Sequence, residues 1–341
     1  MTGNGPHAGP DMSLHPCARI RGDDVGAVQP MSDALPLKTT MRFEYGQARE
    51  LQPGLRRIVA NNPSPFTFKG TNTYLVGTDE LALIDPGPGD AAHLDAILQA
   101  AGKAPIKHIL LTHTHHDHYE GLPELQARTG AKTAGYGYQP TSRISGAHAA
   151  SPNAASRGEV VDKSFAPDVV LRDGSRLEGK GYAFEAVFTP GHAPDHLCFA
   201  LIGTPVLFSG DHVMSWNTSV VAPPEGNMAD YMRSLEKLMS RQDEIYMPGH
   251  GGTLRQPQKV VRAFMLHRKM REAAILQAVR DGHTTIPRIV DVVYRGLDSR
   301  LVNAARASVL AHVERMIEIG QLACPAGPPS VDRELVPKAS S

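Results

Sequence analysis

Cysteine is scarce in this chain of 341 residues, with only Cys17, Cys198 and Cys324. An odd number, widely spaced, suits neither a disulfide framework nor a cysteine-type zinc site, and a reducing, cytoplasmic setting is the expectation. No run of about 18 apolar residues is present, which excludes a transmembrane helix and, with it, a membrane partner of that kind. The first 40 residues have no apolar core of the secretory-signal type. Neither sign of charge is in excess, because 35 Lys and Arg balance 35 Asp and Glu, so no global field points to nucleic acid or a lipid surface. Internal repeats are also missing, which sets aside solenoids and propellers. Apolar residues at 41% and charged residues at 21% are ordinary for a globular protein. Histidine is the exception: there are 16, and several cluster.

The chain divides by texture. Residues 1–40, rich in Gly, Pro, Ala and Asp, read as a disordered leader, with Met12, Met31 and Met41 as candidate internal starts. Residues 41–255 alternate short strand-like runs with helical ones, the pattern of an α/β domain. Within it, 73–76 and 81–85 flank a hairpin turn. Ala91–Ala101 has helical spacing closed by Gly102, and 106–111 is an apolar strand that runs straight into a histidine cluster. Residues 137–167 are long and aperiodic, and read as a lid or a disordered insertion. Residues 256–322 turn to helices, predicted over 260–280, 287–294 and 301–319, as a separate small domain. Residues 323–341, with Pro325, Gly327, Pro328 and Pro329, read as a disordered tail. The segment 255–322 holds twelve Lys or Arg against six Asp or Glu. That excess suits the solvated faces of helices that dimerise or support a lid, with a nucleic-acid surface as the competing reading.

The densest chemistry is Thr112-His113-Thr114-His115-His116-Asp117-His118. Neutral imidazole with carboxylate is the donor set of catalytic zinc sites, where one position stays open to water. On an extended segment His113 and His115 point the same way and can clamp one ion, while Asp117 and His118 lie beyond, for a second. His116 is read as structural. Further donors stand alone after apolar strands and glycine turns: His192 after Pro190-Gly191, Asp211 after Ser209-Gly210, and His250 after Pro248-Gly249. Gly70, Thr71, Asn72 and Thr73 offer either amide donors to a substrate or a capped turn. Trp216 and Tyr138 are read as stacking on a base or packing a lid, and Met228, Met232 and Met239 as core.

Together, His-x-His-x-Asp-His, Pro-Gly-His, Gly-Asp and Gly-His-Gly resemble the metallo-β-lactamase superfamily. The resemblance implies an αββα sandwich with two zinc ions, or another divalent metal, at its strand ends. His113, His115 and His192 would take the first ion, Asp117, His118 and His250 the second, and Asp211 would bridge them. A narrower likeness runs through Asn62-Pro63, the segment from Lys69 to Tyr74, Gly191-His192-Ala193-Pro194-Asp195-His196 and the helical C-terminus. These resemble the β-lactamase-like protein 2 branch, whose extra domain is winged-helix-like and whose best-known member is a single-strand endoribonuclease. The insertion 137–167 and the segment from Ser215 to Thr218 depart from that branch. The resemblance implies hydrolysis by a hydroxide held between the two metals, with single-stranded RNA the leading substrate. A thioester, lactone or small carboxylic ester is the alternative, and a mononuclear iron dioxygenase a more distant one. Asp117 would also orient the nucleophile. His196 would contact a phosphate or protonate the leaving group, unless it supports a metal ligand from behind. A homodimer is a further expectation.

Overall fold

The computed structural model describes residues 35–137 and 164–338. Its first half is a sheet of seven strands in chain order: Arg49–Gln52 (β1), Leu55–Val59 (β2), Asn72–Val76 (β3), Leu81–Ile84 (β4), Ile106–Leu110 (β5), Lys132–Gly135 (β6) and Val169–Val170 (β7). Strands β1 to β4 pair antiparallel, with short turns joining β1 to β2 and β3 to β4 and the longer segment 60–71 joining β2 to β3, whereas β4 to β7 pair in parallel. Parallel neighbours need crossovers, and helices Ala91–Ala101 (α1), His116–Tyr119 (α2) and Leu122–Thr129 (α3) lie in two of them. A second sheet of six strands contains Arg176–Gly179 (β8), Tyr182–Phe188 (β9), Leu197–Leu201 (β10), Val206–Gly210 (β11), Ile245–Pro248 (β12) and Leu254–Arg255 (β13), in the order β13-β12-β11-β10-β9-β8. Helix Met228–Met239 (α4) is the crossover between the parallel strands β11 and β12.

Burial shows the layering. Leu55, Tyr74, Ile84 and Leu110 of the first sheet share one core with Phe184, Phe199 and Phe208 of the second. On the outer face of the first sheet, Ile58, Leu75 and Leu83 pack with Leu94 and Ile97 of α1 and Leu122 and Leu125 of α3. On that of the second sheet, Val187, Cys198 and Leu207 pack with Tyr231 and Leu235 of α4. Strands such as β3, β4, β10 and β11 are buried at every position because both faces are covered. This is the expected αββα sandwich.

Helix Pro257–Arg280 (α5) belongs to two cores. Its first half sends Val260, Val261 and Phe264 into the outer core of the second sheet, whereas Ile275, Ala278 and Val279 join Ile286–Val293 (α6) and Val302–Glu318 (α7) in a core of their own. The expected boundary after residue 255 therefore corrects to a shared helix, whose apolar stripe simply continues from one module into the other. The tail is a second correction. Leu322–Ala323 (β14) pairs antiparallel with Val336–Pro337 (β15), and Leu335 is fully buried in the helical core. A Pro- and Gly-rich stretch thus closes as a hairpin-like return, because one leucine has apolar surface to cover. Of the expected leader, residues 1–34 lie outside the described residues; at its end, Leu35 and Leu37 pack against the outer core of the second sheet and the Lys38 amide donates to Ser215 O at 2.7 Å. Residues 138–163 of the insertion, with Tyr138, also lie outside the described residues, while Phe165 anchors the far end beneath α3.

Candidate metal centre

All seven expected ligands come from segments following strands of the two sheets: β5 leads to His113, His115, Asp117 and His118, β9 to His192, β11 to Asp211 and β12 to His250. After β5 the chain stays extended to His115, which has φ −68° and ψ 143° and stands immediately before α2. This switch separates His113 and His115 from Asp117 and His118. Two of the glycine turns are steric necessities. A Cβ on Gly249 would lie 2.3 Å from Asp211 Oδ1, and one on Gly191, which has φ +141°, would lie 2.3 Å from Tyr231 Cα. Only glycine lets the His250 and His192 loops come this close.

The donors fall into overlapping groups whose ligand atoms lie within 4.8 Å of one another: His113, His115 and His192; His113, His118 and Asp211; and Asp117, His118 and His250. His115 Nδ1 is 3.0 Å from both His113 Nε2 and His192 Nε2, and His118 Nε2 is 3.2 Å from His250 Nε2. Asp211 spans the groups, with Oδ2 at 3.2 Å from His250 Nε2 and 3.8 Å from His192 Nε2. Asp117 Oδ2 is 3.1 Å from His250 Nε2.

The outward nitrogens have protein partners. His192 Nδ1 donates to Val220 O at 2.6 Å, His250 Nδ1 faces Gly70 O at 3.3 Å, and His118 Nδ1 meets Asp85 Oδ2 at 2.9 Å. When each ring carries a single proton, on its outer atom, the inner nitrogens turn lone pairs toward one another, and Asp211 Oδ1 is buried without a hydrogen-bond donor. Nitrogens bound to one tetrahedral zinc at about 2.0–2.1 Å stand about 3.3 Å apart, close to the separations here. The residues therefore fit a metal, and the cluster is able to bind metal ions.

Electrostatics agree. Burial and the neighbouring imidazoles hold His113 well below the usual histidine range, and burial pushes His115 down to about 3. Burial opposes charge on His250 and His118 too, but the carboxylates outweigh it: Asp211 and Asp117 push His250 up to about 9, and Asp117, Asp211 and Asp85 raise His118. Burial likewise works against ionisation of Asp211 and Asp117. His250 and His118 overcome it and hold both carboxyls below their ordinary range. A cation placed here would do the work those protons do.

Asp85 is not among the expected residues, and Asn72 and Thr71 act through side chains whose roles the sequence did not assign. Asp85, in the left-handed region at φ 54°, accepts from Thr112 N and Thr112 Oγ1, both at 2.8 Å, and holds His118. Its signal was available, since Ile84-Asp85-Pro86-Gly87 is another strand end with a carboxylate beside a glycine. Asn72 donates through Nδ2 to Pro248 O at 2.8 Å and Gly251 O at 2.9 Å, bracketing His250. Thr71 Oγ1 donates to Asp117 Oδ2 at 3.4 Å and accepts from Asn62 Nδ2 at 3.0 Å. The amides of Gly70, Thr71 and Asn72 are already used, by Thr67 O, Asn62 Oδ1 and Gly249 O, so the capped-turn reading holds and the substrate-donor reading does not.

Of the two roles open to His196, the geometry matches support behind a metal ligand. His196 is fully buried, accepts from the Asp211 amide through Nε2 at 3.1 Å, and meets Thr189 Oγ1 through Nδ1 at 2.9 Å. Burial and neighbouring histidines hold it well below its ordinary range. It is a neutral support for the Asp211 backbone, not an acid at the substrate. Trp216 stacks on Phe68, with centroids 4.9 Å apart and planes at 12°. Met228 and Met232 are core residues.

Residues 66–250 match the metallo-beta-lactamase superfamily and residues 285–322 the beta-lactamase associated winged helix domain. The chain belongs to the metallo-beta-lactamase superfamily, as a metal-dependent hydrolase that carries the associated winged helix. It is 32% identical over 285 residues to the beta-lactamase-like protein 2 homolog of Drosophila melanogaster, covering 78% of this chain and 88% of that one. It is 33% identical over 237 residues to the atrochrysone carboxyl ACP thioesterase of Aspergillus fumigatus, covering 68% of this chain and 66% of the relative. Among solved structures, a metallo-beta-lactamase family protein of Thermus thermophilus superposes with TM-score 0.68 at 27% identity, covering 85% of this chain and all of that one. No helix among the described residues is long and apolar enough to cross a membrane.

Proposed function

We propose that this chain hydrolyses an acyl thioester, with two zinc ions held by His113, His115 and His192 and by Asp117, His118 and His250, and shared through Asp211. The observation that carries this reading is the orientation of His196: the residue best placed in sequence to protonate a leaving group is turned away, neutral, to hold the Asp211 amide. A thiolate leaves without a proton, because a thiol has a pKa of about 8.5. The 5′-oxygen of an RNA phosphodiester is a far poorer leaving group and gains most from an acid. When bound, the ions would lower the pKa of water to about 7 and polarise the substrate carbonyl. Asp117, aimed by Thr71 and Asn62, would orient the attacking water, and Asp211 would keep the two ions in register.

The thioesterase name of one relative supports the same choice. The basic C-terminal segment gives RNA less support than its charge count suggests. Arg268 is buried, Arg271 donates to Val293 O at 3.2 Å, and Arg315 pairs with Glu272 at 2.5 Å, so three of its cations serve the interior. The deciding experiment presents metal-analysed protein with a panel of acyl thioesters, lactones and single-stranded RNA. Thioester turnover that depends on bound zinc is the expected outcome. RNA cleavage without thioester turnover would sink the reading.

A further inference from the structure

One buried cation links the helical module to the metal centre. Arg268 sits on α5 with only 4% of its surface exposed, its guanidinium 5.2 Å from the Tyr231 ring centre on α4. Its Nη2 donates to Ser219 O at 2.5 Å. Ser219 lies in the loop after β11 and is itself buried. Its hydroxyl donates to Asp211 O, and is also 2.8 Å from His212 O. Tyr231 OH adds a donation to His212 O at 3.0 Å. The next residue in that loop, Val220, supplies the carbonyl that accepts from His192 Nδ1 at 2.6 Å. A two-residue segment, Ser219-Val220, thus touches the backbone of Asp211 and the ring of His192 on one side, and a charged side chain of α5 on the other.

We infer that Arg268 is a positioning residue for the metal centre, through which α5 fixes the Ser219-Val220 segment and so the orientation of His192 and Asp211. The physical reason is that loop carbonyls have no strand ladder to hold them. A carbonyl that orients a ligand imidazole is only as well placed as its own neighbours make it, and groups behind ligands typically change metal affinity 10–100-fold when removed. A guanidinium confined by an aromatic face and by helix packing is a stiffer anchor than water. The helical module is therefore part of the metal site's scaffold, whatever the substrate.

The test is cobalt(II) titration of metal-free protein, followed by visible absorption, which reports ligand geometry and needs no turnover. Arg268→Met keeps the stem packed on Tyr231 and removes the guanidinium. Ser219→Ala cuts the link from the other side and keeps the inference testable if the first variant does not fold. Affinity for cobalt should fall about tenfold in either variant, with a changed absorption band. The double variant should be no weaker than the worse single one, because both cut one chain of contacts. Arg268→Lys should recover part of the affinity, and Arg262→Met, exposed on the same helix, should bind as the parent does. His192→Ala separates this inference from the ligand assignment. If it loses cobalt affinity while folded Arg268→Met and Ser219→Ala bind with unchanged affinity and spectrum, the inference is wrong and the ligand assignment stands.

Discussion

Two buried polar clusters, one at the strand ends and one between α5 and α7, are satisfied in different ways. In the metal centre, imidazole nitrogens face one another at 3.0 Å and Asp211 Oδ1 has no donor. In the helical module, Glu272 lies between Arg315 at 2.5 Å and His312 at 3.2 Å, so the carboxylate meets its cation within the chain. The first cluster gathers acceptors and asks for a cation from outside. The second joins α5 to α7 through an ion pair that needs no cation from outside. Histidine or arginine count does not separate a binding site from a structural joint, whereas the balance of donors and acceptors at the centre does.

Removing one ligand should break this contrast most strongly. His250→Ala should lower bound metal by about one ion per chain and largely abolish hydrolysis, read by metal analysis beside kcat. An unchanged metal content would take His250 out of the centre. In the joint of the helical module, Glu272→Ala leaves half-buried Arg315 without its carboxylate and should cost about 3 kcal/mol, seen as a lower Tm with metal content per folded chain preserved. Loss of metal in that variant would mean that the two clusters are not separable.

Acid sharpens the comparison next. Burial pushes His93 and His312 down to about 4, whereas an unfolded imidazole titrates near 6.5. The unfolded chain therefore takes protons first as pH falls. The stability held by these neutral rings is complete above about pH 6.5 and is lost on the way down to about 4, on the order of 3 kcal/mol for His312. Denaturant unfolding between pH 7 and 4.5 should show this, with a shallower slope in His312→Gln. An equal slope would place the acid sensitivity elsewhere. Smaller still, Asp85→Asn should weaken metal binding about 10–100-fold, because it blunts the carboxylate that orients His118. A metal titration with an unchanged Kd would reduce Asp85 to a backbone clasp for Thr112. The least effect belongs to exposed charge: Arg262→Glu with Lys269→Glu should shift stability by no more than about 0.5 kcal/mol and leave the hydrolysis of a small thioester unchanged. A raised KM for that substrate would put this helix face at the active site.

By itself the sequence determined the alternation of strands and helices and the candidate metal donors, and the sandwich followed from the resemblance their motifs carry. Strand periodicity and helix stops are local, and His113, His115, Asp117, His118, His192, Asp211 and His250 each announce themselves by an apolar run, a tight turn and a ligand-type side chain. Tertiary structure decided everything that depends on direction across the chain. Nothing local tells His196, four residues after a ligand, to turn its ring toward the Asp211 amide. Asn72 and His250 are 178 positions apart, and only the packing of the two sheets brings the Asn72 amide to Pro248 O and Gly251 O. The tail around Leu335 read as disordered from its prolines and glycine, because the apolar surface that buries that leucine belongs to helices earlier in the chain. Arg268 read as one charge in a basic run until helix packing set its guanidinium against Ser219 O, where desolvation leaves a cation no choice but a specific acceptor.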